Sequence, residues 1–494
     1  MQDNGSWAGP AYTWRVQGIR NSYWQEISFG DGFDVLPDPD NHRFGISASQ
    51  EGSAVIYDRL TGNNEGIQPT HPEHEEKLRF NWNAAMSRDP FNSNTLYFGS
   101  QFVHKSIDGG QTWRIISKDL TTNNPEYQKQ GESGGLTMDA TGAENYCTIL
   151  VIEPSPIQKE LLWTGSDDGQ VNISKNGGDD WQNITENIPM PSGAWINQIK
   201  ASHHNSSEAL LVVNDYRRFN DSPMVYRTKD FGQSWEQIVD KNDVIGYALC
   251  ILQDPVDPNL YFLGTGDGLY VSIDEAKNWN KWTVGFPTTN VMDLVIQPRE
   301  HDLVIGTFGR AAWVLDDIRP LREIAKNPEL VSKESHIFES PTAYLASYQQ
   351  PSGSRFGGDA LYNAENRKYG SMLTYFYKAG EKKNEDSLTL KIFDGERQIR
   401  TLKTKAPIET GFHRWYWYMD EKGVNRPSRS DTKRTGEPRG VTVKPGTYKV
   451  VLESKNESSE TEVNVISPDG PYLISTGYEP VSYTHLTLPT IYSV

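Results

Sequence analysis

The sequence predicts an all-β fold: a multi-bladed β-propeller, incomplete at its N-terminus and with at least six recognisable blades, followed by a fibronectin- or immunoglobulin-like β-sandwich. Three observations point there. An octet ending in Trp occurs four times between Ser106 and Trp279. A turn-and-strand motif lies upstream of each octet, at the spacing of a small supersecondary unit. Beyond Leu321 both stop and plain alternating strands take over.

The octets are SIDGGQTW (106–113), SKNGGDDW (174–181), TKDFGQSW (228–235) and SIDEAKNW (272–279). In each, Asp108, Asn176, Asp230 or Asp274 is placed to accept hydrogen bonds from the N–H groups of its own strand-to-strand turn. The glycine supplies a positive φ, and Trp113, Trp181, Trp235 or Trp279 plugs the blade beneath. Ala276 replaces that glycine in the fourth octet, which predicts an altered or looser turn there. The upstream motif reads RDPFNSNTLYFGS, EPSPIQKELLWTGSDDG, QDPVDPNLYFLGTGDG and, more loosely, SHHNSSEALLVVNDY. Two further copies, near 37–52 and 297–310, lack a good octet, so six blade-sized units lie between about 30 and 321. Each holds an apolar inner strand (CTILVI, YALCIL, VMDLVI), a Pro/Asn/Asp turn, and further strands running into the octet. Four antiparallel strands that cannot bury both faces alone make a propeller blade.

Composition agrees. The 494 residues exceed a usual single domain, and 14 Trp and 24 Tyr among 42 Gly and 28 Pro favour strands and turns over helices. Only 318–334 can hold a short helix. A net charge of -17 disfavours nucleic acid and anionic membrane surfaces. No stretch is apolar enough to span a bilayer, so no direct membrane insertion is expected of this chain. Cys147 and Cys250 sit in apolar runs of non-adjacent blades and are expected as buried free thiols. No cofactor or metal is expected. His71 and His74, like His203 and His204, lack ligand spacing, and no nucleophile elbow, phosphate loop or dinucleotide fingerprint occurs. Asp167-Asp168-Gly169 and Gly266-Asp267-Gly268 read as hairpin turns.

The chain divides into a propeller (1–321), a connector (322–367), a sandwich (368–468), the start of a following segment (469–479) and a non-native tail (480–494). The opening MQDNGSW reads as the inside of a hairpin, as though the chain began within a blade. From Val481 the sequence VSYTHLTLPT resembles a translated transposon sequencing adapter. In the sandwich, SMLTYFY, SLTLKIFD, WYWYM, TYKVVLE and TEVNVIS are the expected strands, and the polar, proline-interrupted 421–440 is expected as a long loop.

The octets are Asp boxes, also called bacterial neuraminidase repeats. Residues 30–322 resemble the bacterial relatives of the sortilin ten-bladed propeller, often labelled glycosyl hydrolases. The resemblance rests on LRFNWN (78–83), WTGSDDG (163–169), VYRTKDFGQSW (225–235), GLYVSID (268–274) and GTFGRAAWVLDDIRPL (306–321). It implies an exported protein, extracellular or periplasmic, that binds a peptide, protein or polysaccharide ligand. Phe308 stands where the group carries His; if that His has a role, it is missing here.

Box carboxylates are committed to their turns, so the boxes imply blades and no chemistry. A sialidase also needs an arginine cluster and an Arg-Ile-Pro signature, which is absent. The enzymatic rival is the two-propeller xyloglucanase type, which sets two carboxylates across a cleft as acid and base. The carboxylates available for that are Asp31, Asp34, Asp139, Glu144 and Asp293, against the plain alternative of acids that keep a propeller mouth soluble. Arg79, Asn81 and Asn83 share a face of what reads as an inner strand. They either bind a ligand or satisfy neighbouring backbone. Arg310, in the closing segment, is a further ligand-binding candidate.

Overall fold

The computed structural model describes residues 3–72, 76–129, 132, 145–346, 348, 363–380, 387–425, 427 and 436–467. Among them the regular structure is almost entirely strand, and the chain forms two compact units.

The first unit is a β-propeller. Its blades are antiparallel sheets in which strands follow one another in chain order. Blade 1 holds Val35–Pro37, Phe44–Ala48, Ala54–Asp58 and Asn64–Gly66; blade 2 holds Met86–Arg88, Leu96–Gly99, Val103–Ser106 and Arg114–Ile115. Blade 3 holds Ile149–Pro154, Leu162–Ser166, Val171–Ser174 and Gln182–Asn183; blade 4 holds Trp195–Ala201, Ala209–Asp215, Asn220–Thr228 and Glu236–Val239. Blade 5 holds Ala248–Gln253, Tyr261–Thr265, Gly268–Ser272 and Asn280–Lys281; blade 6 has three strands, Val291–Gln297, Asp302–Thr307 and Ala312–Leu315.

The core lies between blades, as strand periodicity requires. On the second strand of blade 4, Leu211 and Val213 pack with Trp163, Val171 and Ile173 of blade 3. The intervening Leu210 and Val212 face the other way, against Ile251, Tyr261 and Leu263 of blade 5. Side chains alternate across a strand, so one apolar run serves two interfaces. Each such Leu or Val contributes about 1.5–3 kcal/mol when its neighbour blade is present, and leaves an exposed patch when it is not.

Every box closes as its sequence implies. Asp108 accepts from the Thr112 N–H at 2.9 Å and the Thr112 hydroxyl at 2.6 Å, while the Ser106 hydroxyl donates to it at 2.7 Å. Asn176 accepts from the Asp180 N–H at 3.0 Å in the same position. The box tryptophans also tie blades together: Trp113 donates to the Ile67 carbonyl at 2.7 Å and Trp181 to that of Ile116 at 2.8 Å, each just past the last strand of the preceding blade. The fourth turn keeps the bonds of the others at slightly greater length. Ala276 takes φ 65 and its N–H still reaches the Ser272 hydroxyl at 3.1 Å, against 2.8 Å for Gly110 on Ser106. The surrounding bonds hold a non-glycine residue in the left-handed region, at a cost of about 1–2 kcal/mol.

The second unit comprises Ala8–Trp24, Gln297–Asp302 and the described residues from Asp316. A three-stranded sheet (Ser335–Ile337, Ser371–Tyr377, Gly411–Trp417) and a five-stranded one share one buried cluster. The latter runs Ala343–Tyr344, Ser458–Ile466, Gly446–Glu453, Ser387–Asp394, Arg397–Lys405. Leu388, Leu390 and Ile392 of the second sheet are fully buried against Leu373, Tyr375 and Trp417 of the first. The only described α-helix, Arg319–Lys326, falls in the expected window. Two features differ from the sequence reading. Ala8–Trp24 belongs to this unit: Ile19–Arg20 pairs with Asn363–Ala364, and Asn366 accepts from the Thr13 N–H at 2.8 Å. The ends of the expected 421–440 loop form a ladder, Asp420–Lys422 with Arg439–Thr442; residues 428–435, 349–358 and 469–494 lie outside the described residues.

Candidate functional site

Because blade strands alternate in direction, the hairpins between second and third strands and the connections between blades gather at one end of the propeller. Boxes and the turns between first and second strands gather at the other. Asp108 is held down at about 2 by the Thr112 hydroxyl and N–H and the Ser106 hydroxyl, and Asp230 and Asp274 are lowered as well. A carboxylate so tied does no acid–base work near neutral pH.

The candidates from the opposite end separate into three groups. Asp31 is buried and fully engaged: it accepts from the Asp3 N–H at 2.6 Å and the Trp82 indole at 2.9 Å. Asn81 donates to Thr148 at 3.0 Å and Asp167 at 3.1 Å, its oxygen accepts from the Asn83 N–H at 3.1 Å, and Arg79 pairs with Asp119 at 2.6 Å. These residues do not form the inner strand their alternation implied. Residues 79–83 are a connection whose main chain bonds to side chains, as where the Arg79 N–H donates to Gln101 at 2.8 Å. Arg310 is exposed at the blade 6 hairpin, where its carbonyl accepts from Trp313 at 2.7 Å. Asp139, Glu144 and His74 lie outside the described residues.

Asp34 and Asp293 form the second group, and the fold brings them into one electrostatic cluster with two residues that the sequence did not single out. Asp34 precedes the inner strand of blade 1, Glu153 and Lys200 lie on the inner strands of blades 3 and 4, and Asp293 on that of blade 6. Four inner strands meet only around the propeller axis, so this is the channel. The Lys200 ammonium sits 3.5 Å from Glu153, which also accepts from the Ala201 N–H at 3.3 Å. Burial, with Asp293 adding repulsion, pushes the Asp34 carboxyl up to about 7. Burial raises Glu153 and Asp293 too, against the pull of Lys200. Asp293 has exposed surface but lies on an inner strand among the surrounding blades, so desolvation still governs it. Lys200 is raised, first by Glu153 and also by Asp293 and Asp34. Glu153 was hidden by its setting: Glu-Pro reads as a turn signal, whereas the strand runs through Pro154.

A third group was not visible in the sequence. Along the hairpin end, Tyr127 and Tyr146 meet at 5.4 Å between ring centres, and Tyr146 meets Trp195 at 6.3 Å. The Arg217 guanidinium lies 3.4 Å above Trp195 and 4.6 Å from the Tyr216 ring, and Tyr216 stacks on Tyr247 at 4.8 Å. The residues come from blade connections and from the blade 4 hairpin, so only assembly of blades 3 to 5 lines them up. Among the described residues no cluster of His, Cys, Asp and Glu has metal-holding placement, and Cys147 and Cys250 are buried and free. No helix of the described residues is long and apolar enough to cross a membrane.

A family model described as Sortilin-Vps10 (sortilin, neurotensin receptor 3) matches residues 223–319, from the third strand of blade 4 past the end of blade 6. No curated protein matches the chain. Among solved structures, an ancestral GH74 enzyme is similar with a TM-score of 0.41 and 14% identity, over 87% of this chain and 59% of that one. The GH74 xyloglucanase from Xanthomonas campestris gives 0.28 and 13%, over 62% and 60%. YCF48 bound to D1 peptide gives 0.31 and 12%, over 63% and 96%.

Proposed function

We propose that this chain is a ligand-binding propeller, sortilin-like and exported, that takes a peptide, protein or glycan ligand on its hairpin end. The observation that carries this reading is the continuous row Tyr127, Tyr146, Trp195, Arg217, Tyr216 and Tyr247. Tyr146 is buried, Tyr127 exposed and the rest of the row half-buried, and ring-to-ring contacts across three blades preorganise the surface, which lowers the cost of binding. The matched family model, named for a receptor, supports the same reading over part of the propeller. Hydrogen exchange on the full chain, with and without panels of oligosaccharides and peptides, tests it. Ligand-dependent protection should concentrate in 195 and 216–247; protection confined to the box end contradicts it.

A second reading, glycoside hydrolysis, is favoured by Asp34. A carboxyl pushed up to about 7 beside another carboxylate is the pairing an acid–base hydrolase uses. Lys200 weighs against it, because an ammonium at 3.5 Å from Glu153 already neutralises part of the cluster. Release of reducing sugar from β-glucans, abolished by Asp34→Asn, would establish the enzyme and sink the binding-only account.

A further inference from the structure

We infer that Arg217, set over the Trp195 ring and against that of Tyr216, is the carboxylate-binding group of a glycan site whose ligand carries an isolated uronic acid unit. This rests on the binding reading above and gives the ligand its chemistry.

The neighbouring arginines show why. Arg218 is satisfied: it pairs with Asp215 at 2.5 Å and donates to the Ser192 carbonyl at 2.9 Å. Arg217 is half-buried, and among the described residues no carboxylate lies within ion-pair distance of it. The field of Asp167 reaches it, but the Asp167 oxygens are already taken by the Thr148 N–H at 2.8 Å, by the Thr148 hydroxyl and by Asn81 at 3.1 Å. Burial without an anion lowers the Arg217 pKa, the mark of a cation that gains from a carboxylate. The Trp195 and Tyr216 rings hold the guanidinium in place; Tyr216 takes one of its hydrogen bonds, and the remaining N–H groups of the planar fork suit bidentate carboxylate recognition.

The surroundings select a sugar. Exposed Tyr127 on one side and half-buried Tyr247 on the other extend the site with aromatic rings, on which the C–H faces of pyranose rings stack. The hairpin bearing Tyr216 and Arg217 closes on itself, Asp215 pairing with Asn220, so an extended peptide finds no free strand edge there. A chain of net charge -17 repels a polyanion, so the fitting ligand is a mainly neutral glycan with single carboxylates rather than a polyuronate.

The test is titration of the full chain, read by tryptophan fluorescence, with a glucuronate-bearing xylo-oligosaccharide, its unsubstituted counterpart of equal length, and an acidic peptide. The uronate-bearing oligosaccharide should bind at least about 10-fold tighter than the unsubstituted one, and Arg217→Gln should erase that difference, since a charge-assisted hydrogen bond contributes that factor or more. Arg217→Lys, which keeps the charge but not the planar fork, should recover part of it, and unchanged thermal melting shows that both variants fold. Equal affinity for the two oligosaccharides overturns the carboxylate inference while leaving a binding face intact. Binding of the acidic peptide alone overturns the glycan assignment. No protection of the row by any ligand class, in the exchange experiment above, removes the binding reading itself.

Discussion

Carboxylates at the two ends of this propeller are the same chemical group in opposite states. At the box end, Asp108 is held at about 2 because its oxygens collect a backbone N–H and two hydroxyls from residues no more than four positions away. In the channel, Asp34 is pushed to about 7 because burial removes water and Asp293 adds like charge. The difference teaches that a carboxylate's role here depends on whether its donors are local. A box carries its own donors in every copy of the repeat. A channel acid has only what four separate blades bring to the axis.

The comparison breaks most severely at Lys200, the one cation whose pull is felt by Asp34, Glu153 and Asp293 alike. Lys200→Met should destabilise the protein near pH 8 by about 1–2 kcal/mol. That is less than the ~3–5 kcal/mol of a fully buried broken pair because the Lys200 and Glu153 side chains keep part of their surface exposed. The loss should shrink towards pH 5, as the stranded carboxyls take up protons, and denaturant melts across pH measure it. Ala276→Gly should act in the other direction, stabilising by about 0.5–1 kcal/mol by relieving a side chain held at φ 65. The smallest effect is expected from Asp274→Asn. Blade 3 already builds its box on Asn176, with Asp180 N–H donating at 3.0 Å, so the amide should cost no more than about 0.5 kcal/mol. A loss several times larger, measured by thermal melting, would mean that the box needs charge and not merely an acceptor.

The same contrast decides what could be read from sequence. Boxes were legible because donor, acceptor and the positive-φ pair lie within one octet, and the blades followed from their repeat. Ala276 marked the one departure: its N–H reaches Ser272 at 3.1 Å, against 2.8 Å, 2.9 Å and 2.9 Å at the same position of the other boxes. Asp34 and Asp293 could be singled out as acids on inner segments. Glu153 and Lys200 could not, because nothing within their own strands records that they meet around an axis. Arg79, Asn81 and Asn83 alternate like a strand, yet their partners Asp119, Thr148 and Asp167 lie on other connections. Arg217 is invisible for a related reason: Trp195 starts the first strand of the same blade, and only the folded blade brings that ring under the guanidinium.

pH dependence follows with opposite sign at the two ends. A carboxyl raised to about 7 holds its proton in the folded chain after the unfolded chain has lost it, so its contribution makes stability fall as pH rises from about 4 to about 7. A box carboxyl lowered to about 2 contributes stability that is fully present above about pH 4 and lost as pH falls through 2. The most direct measurement is a carbon-13 carboxyl titration of the full chain, with Asp34→Asn and Asp108→Asn assigning the two resonances. The account predicts that Asp34 titrates near 7 and Asp108 near 2. Both titrating together near 4, as free carboxylates do, would contradict it.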